Sequence, residues 1–183
     1  MAGLGLPFTA VSIDADESFP ANLKAGDIPI YISRAKARAY ANRLQADELL
    51  ITADTIVWCD GQMLGKPQDE ADACRMLEAL SGRTHQVFTA VTFAQKSQEP
   101  GTKIPEVTLE TIVDCTDVTF RALTEKEIRH YVQQYRPMDK AGAYGVQEWI
   151  GYIGCTRLEG SYFNVMGFPV HRVYQELKNR GIV

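Results

Sequence analysis

Residues Leu49 to Pro67 constrain the chain most, because they set two charged side chains into a segment that otherwise reads as buried sheet. Leu49, Leu50 and Ile51 lead in, and Ile56 and Val57 continue the apolar run, which predicts a strand. Asp54 interrupts that run, with the hydroxyl of Thr55 beside it. Asp60–Gly61 is a turn dipeptide of hairpin type, so the chain should reverse there and bring Lys66 back towards Asp54. A carboxylate and a returning lysine joined by one short hairpin can hold a divalent metal and a phosphate oxygen respectively. Taken singly, Asp54 could cap a turn and Lys66 could be a solvated charge. The pair among apolar residues is what points to chemistry.

Composition narrows the function classes. A chain of 183 residues, 45% hydrophobic and 23% charged, is expected to form one domain over residues 1–183 with a real core. A net charge of −4 speaks against a nucleic-acid partner, which would require a basic face. A polyanionic ligand would have to be attracted by local lysines, backbone amides and a metal instead. The four cysteines, Cys59, Cys74, Cys115 and Cys155, form no C-x-x-C pair, and with three scattered histidines they show no zinc spacing. They read as reduced thiols. No apolar run approaches the roughly 20 residues of a membrane span and no signal segment opens the chain, so a cytoplasmic protein without a membrane partner is expected.

Two phosphate motifs are imitated and rejected. Gly3–Leu4–Gly5–Leu6–Pro7–Phe8 has Phe8 where a dinucleotide fingerprint needs its third glycine, and reads better as a helix end. Gly61-x-x-x-Gly65–Lys66–Pro67 is one residue short of a P-loop, and Pro67 replaces the required Ser or Thr.

The other elements follow from periodicity. Phe8 to Ile13 alternates loosely and predicts a strand, leading into the carboxylate-rich Asp14–Ala15–Asp16–Glu17–Ser18. Pro29 to about Leu44 predicts a helix burying Ile28, Ile32, Ala35 and Ala39, with Arg34, Lys36, Arg38 and Arg43 mostly off that face. A second helix should start at Pro67–Gln68–Asp69, bury Ala73, Met76, Leu77 and Leu80, and stop at Gly82. Gln86 to Phe93 and Val107 to Phe120 are β-prone and predict a long hairpin, with a polar, mobile tip from Lys96 to Pro105. His85, at its start, reads as a histidine with a backbone partner rather than a catalyst. Thr124–Glu125–Lys126–Glu127 is a capping box for a helix burying Ile128, Tyr131, Val132 and Tyr135. Lys140 then sits among small residues whose backbone can approach a ligand, and Gln147 offers the donor and acceptor that reading a pyrimidine edge requires. A final helix should bury Val170, Val173, Tyr174 and Leu177. Alternating strands and helices plus the hairpin predict an α/β protein with a mixed, twisted sheet and flanking helices.

Several blocks together resemble the Maf-like nucleoside triphosphate pyrophosphatases. They are Ala53–Asp54–Thr55–Ile56–Val57, Leu64–Gly65–Lys66–Pro67, Leu80 to Thr89, Met138 to Gln147 and Glu159 to Pro169. The resemblance implies a cleft where Glu17, Asp54, Lys66, Lys140 and Gln147 converge, with Lys36 in a segment near it. It implies Asp54 as general base or metal carboxylate, Glu17 as second metal ligand or helper base, and Lys66 as a catalytic phosphate contact. Lys36 and Lys140 would bind phosphate, and the oxygen ligands suit Mg²⁺ or Mn²⁺. Thr55 and Gln147 match the family branch acting on dTTP and UTP rather than the branch favouring 7-methylated GTP. The family's first strand and Ser-rich Pro–Arg–Arg turn have no counterpart here, with Met1 falling inside the helix that follows them. That departure keeps open a second expectation, a nucleotide-binding septum-formation regulator that does not hydrolyse. Homodimers are usual in the family.

Overall fold

The structure is a computed structural model and describes residues 2–97 and 107–183. It is built on five strands, β1 (Leu50–Cys59), β2 (Gln62–Leu64), β3 (Thr84–Lys96), β4 (Val107–Phe120) and β5 (Cys155–Glu159). Six α-helices surround them: α1 (Asp27–Tyr40), α2 (Glu70–Leu80), α3 (Glu125–Tyr135), α4 (Trp149–Gly154), α5 (Tyr162–Val165) and α6 (Val170–Asn179). The strand order is β2-β1-β3-β4-β5.

The hairpin that opens the sheet forms because Asp60 and Gly61 both take positive φ, 49° and 77°, so Cys59 pairs directly with Gln62. β3 and β4 pair over their whole length, from Thr84 with Thr119 to Lys96 with Val107. The expected tip of this hairpin beyond Ser97 lies outside the described residues. Among the described residues every pairing is antiparallel, where a mixed sheet was expected. The hairpins reverse the chain directly, and the excursions through β2–α2 and α3–α4 also return it reversed.

Strand alternation divides the core between two faces. On one face, Leu50 and Ile56 of β1 meet α1 through two clusters, Ala37, Leu44 and Ala94 with Leu50, and Ile28 and Ile32 with Ile56. On the other, Val57, Val87, Val118 and Phe120 pack against Leu77 and Leu80 of α2 and Ile128, Tyr131 and Val132 of α3. Further along that face, Val91 and Phe93 meet Val173 and Leu177 of α6. Each Val, Leu, Ile or Phe side chain among these contributes roughly 1.5–3 kcal/mol by leaving water. Asp69 caps α2 through Asp72 N–H, and Thr124 and Glu127 close the expected capping box on α3.

Other expectations change. Phe8 to Ile13 is not a strand, since no described strand lies beside it to complete its backbone hydrogen bonds, and Phe8 and Val11 are exposed. α1 stops at Tyr40 and buries Ser33 and Ala37, whereas Ala35 is half-buried and Ala39 exposed. Ser33 is tolerated there because its hydroxyl bonds the Ile30 carbonyl and the Thr92 hydroxyl, which lets the helix approach the sheet. Tyr135 and Tyr174 are exposed at the edges of their helices, leaving Ile128, Tyr131, Val132, Val173 and Leu177 as the buried faces.

Candidate active site

The site begins where β2 stops. β2 pairs with β1 only over Val57–Cys59, so the edge of β1 from Ala53 to Ile56 has no strand beside it among the described residues. A cavity of about 550 Å³ occupies that edge, and Ala53, Asp54, Thr55 and Ile56 all line it. Because the cavity wraps the strand edge, side chains from both faces of β1 reach it. Glu17, Lys36, Lys66, Lys140 and Gln147 line the same cavity. All seven sequence-derived site residues therefore share one crevice of ordinary ligand-site volume.

Asp54 is held from the helix side. One turn of α1 sets Ser33 against Thr52, whose hydroxyl donates to the Ser33 carbonyl at 2.8 Å, and the next places the Lys36 ammonium 2.7 Å from Asp54 Oδ1. Burial pushes the Asp54 carboxyl above its usual range, and the hydrogen bond and charge of Lys36 offset this only in part. Burial alone would lower Lys36, but Asp54 and then Glu17 outweigh it and raise its pKa. The Lys36 ammonium also lies 3.0 Å from Glu17 Oε1, so it bridges the two carboxylates.

Glu17 comes from an irregular segment that is nonetheless anchored. The Asp16 carboxylate accepts the Ser18 N–H and hydroxyl, both at 2.8 Å, and Phe19 packs into the cluster of Ile28, Ile32 and Ile56. Glu17 Oε2 pairs with Lys66 Nζ at 3.4 Å. Lys36 foremost, by its hydrogen bond, holds the Glu17 carboxyl below its usual range.

Lys140 and Gln147 come from the loop between α3 and α4. The loop crosses β1 so closely that a Cβ on Gly142 would sit 2.8 Å from Val57 Cγ2, and Gly142 has φ of 67°. Only glycine meets both demands. The Gly142 N–H bonds the Gly65 carbonyl at 3.0 Å, which ties the loop to the residue before Lys66. Lys140 pairs with Asp139 at 2.9 Å and Glu148 at 3.4 Å. Thr55, on the opposite face of β1 from Asp54, bonds the Thr89 hydroxyl at 2.9 Å and lies beside Gly167. Phe19, Ile32, Met63 and Met166 supply apolar wall.

His85 stays out of this crevice. It is buried, its Nε2 bonds the Tyr144 hydroxyl at 2.7 Å, and burial drops its pKa to about 4, so the ring is neutral.

Residues 1–180 match the Maf-like protein family. The chain belongs to that family. This Maf-like chain is 50% identical over 179 residues to a dTTP/UTP pyrophosphatase of Bacteroides thetaiotaomicron, covering 97% of this chain and 88% of that protein. It is 48% identical to a dTTP/UTP pyrophosphatase of Phocaeicola vulgatus, with the same coverage. The corresponding protein of Flavobacterium psychrophilum is 43% identical over 176 residues, which is 96% of this chain and 85% of that one.

The donor set of this Maf-like chain suits a hard divalent cation. Asp54 and Glu17 already converge on one point, marked by the Lys36 ammonium, and all their donors are oxygen. Among the described residues no group of three or more His, Cys, Asp or Glu gathers as a ready-made metal cage. Two carboxylates plus substrate phosphates is the usual way Mg²⁺ is held.

Sequence reasoning missed Tyr131 as more than core, and missed Glu148 altogether. The one available signal for Glu148 was its place directly after Gln147 in a glycine-rich loop.

Proposed function

We propose that this chain hydrolyses dTTP and UTP to the nucleoside monophosphate and pyrophosphate. The observation that carries the reading is the gathering of Asp54, Lys66, Lys140 and Gln147 around one cavity. The relatives' activity supports the same assignment. A nucleoside triphosphate brings about four negative charges, and its α–β bridge resists attack until they are neutralised. A divalent cation, Mg²⁺ or Mn²⁺, bound by Asp54 and Glu17 would supply part of that neutralisation.

The chain's own groups do the rest. Asp54, lining the crevice, would accept the proton of a water as that water's oxygen bonds the α-phosphorus. The bond from the α-phosphorus to the bridging oxygen breaks, and the charge that develops on departing pyrophosphate meets the ammonium groups of Lys66 and Lys140. Lys36, which here pairs with both carboxylates, would bind phosphate once a cation took its place between them. Thr55 and Gln147 face the nucleoside, and the amide of Gln147, exposed and without a hydrogen bond in the described structure, is free to read a pyrimidine edge. The same reading takes the enzyme as a cytoplasmic homodimer, which sedimentation equilibrium and cell fractionation check.

Product analysis over dTTP, UTP, CTP and 7-methyl-GTP with Mg²⁺ tests the proposal. Pyrophosphate release from dTTP and UTP above the other two is expected. Saturable nucleotide binding with no release would instead favour the non-hydrolysing regulator.

A further inference from the structure

Behind the cavity wall, α3 delivers one hydroxyl to the loop that carries Lys140 and Gln147. Tyr131 is fully buried, and its ring stacks on Tyr135 with centroids 5.0 Å apart. Its hydroxyl accepts the Gly145 N–H at 3.1 Å and donates to Glu148 Oε2. The other oxygen of the same carboxylate, Oε1, lies 3.4 Å from the Lys140 ammonium. The Glu148 N–H in turn donates to the Gly145 carbonyl at 3.0 Å, and the Glu148 carbonyl accepts the amides of Gly151 and Tyr152 that begin α4. The fit leaves no spare room: a Cβ on Gly145 would stand 2.9 Å from Glu148 Cδ. Burial foremost, then the bond to Glu148, pushes the Tyr131 hydroxyl well above its usual pKa, so it remains a protonated donor.

Lys140, Tyr144, Gly145 and Gln147 line the cavity, whereas Tyr131 and Glu148 do not. The brace therefore acts only through its neighbours. We propose that Tyr131 and Glu148 are positioning residues, Tyr131 holding the Gly145 backbone that carries the base-reading Gln147 amide and Glu148, with Asp139, holding the Lys140 ammonium that meets phosphate. The inference rests on the pyrophosphatase reading for what the loop selects, though not for the brace itself.

The two halves separate by substitution. Tyr131→Phe removes one oxygen from a packed ring and leaves the Gly145 N–H without its acceptor. Glu148→Gln keeps an oxygen for Tyr131 but removes one of the two charges facing Lys140, leaving the exposed Asp139 at 2.9 Å. In the full chain without nucleotide, amide exchange at Gly145, read by NMR, should be about tenfold faster in Tyr131→Phe, with Leu77 in α2 unchanged. In Glu148→Gln it should stay near wild type. Steady-state rates should show the dTTP-over-dCTP preference in kcat/KM falling about tenfold in Tyr131→Phe. Glu148→Gln should raise KM about tenfold for both nucleotides with kcat and preference retained. Unchanged exchange at Gly145 in Tyr131→Phe would overturn the brace. So would a common loss of kcat on both nucleotides, the pattern of a merely structural role. If the wild-type chain released no pyrophosphate, the pyrophosphatase reading would fail by itself. The exchange experiment and a calorimetric titration with dTTP and dCTP would still decide the brace.

Discussion

Replacing Lys36 with Met removes the ammonium that stands between Asp54 and Glu17 while keeping most of the apolar stem. The nearest pairing, 2.7 Å to Asp54 Oδ1, is worth about 6 kcal/mol in gross Coulomb attraction at an effective dielectric of about 20. Desolvation of both groups cancels most of it. The side chains of Lys36 and Asp54 are 21% and 11% exposed, between a surface pair worth about 0.2–1 kcal/mol and a buried pair whose breakage costs about 3–5 kcal/mol. Glu17 is 46% exposed and adds little. A net loss of about 2 kcal/mol follows, or roughly 4–8 °C in Tm for a chain of this size. The loss should depend on pH. Burial already raises Asp54, and without Lys36 its carboxyl rises further, with the Glu17 charge pushing in the same direction. An acid whose folded pKa lies above its unfolded value costs stability at high pH, and the cost fades as pH falls and the proton binds. Glu17, whose carboxyl Lys36 now depresses, loses that stabilisation on acidification in the wild type, so both groups close the gap in the same direction. Differential scanning fluorimetry from about pH 8 to about pH 4 should show the Tm difference largest at the alkaline end and shrinking towards the acid end, with the Glu17 share lost only below its ordinary range. A difference that is absent, or flat across that range, would refute the bridge.

Three further outcomes follow from the same geometry. Gly142→Ala forces a positive φ on a residue with a Cβ 2.8 Å from Val57, and should cost about 2–4 kcal/mol in urea unfolding, with pyrophosphatase activity falling alongside as Lys140 moves. Gln147→Ala should reduce kcat/KM for dTTP about 10–100-fold and narrow its margin over CTP, because the base edge loses its paired donor and acceptor. In the chain without divalent metal, the Asp54 carboxyl, followed by NMR, should titrate above the ordinary carboxylate range because burial raises it; titration at the unperturbed aspartate value would show that burial does not dominate its surroundings.

Much of the site was legible because its parts are local. Asp60–Gly61 prescribes a tight reversal, and the reversal alone carries Lys66 back beside the strand bearing Asp54. The capping box at Thr124 and the long β3–β4 pairing follow from short-range chemistry in the same way. What was not legible comes from packing between distant segments. Lys36 reads as one cation among several on α1, and only the docking of that helix on β1 aims it at Asp54, 18 residues away. Phe8 to Ile13 alternates like a strand, yet alternation creates no partner, and the segment runs largely exposed. Tyr131 showed itself as core, but the direction of its hydroxyl depends on how α3 meets a loop 14 residues on.

The central claim is that Asp54 performs chemistry in the crevice it shares with Lys66 and Gln147. Pyrophosphate release from dTTP in a single turnover, wild type against Asp54→Asn, with dTTP affinity measured in parallel, tests it most directly. The account predicts release by the wild type and none above background by the variant, with nucleotide still bound and the fold intact. Release by Asp54→Asn at near the wild-type rate would contradict it.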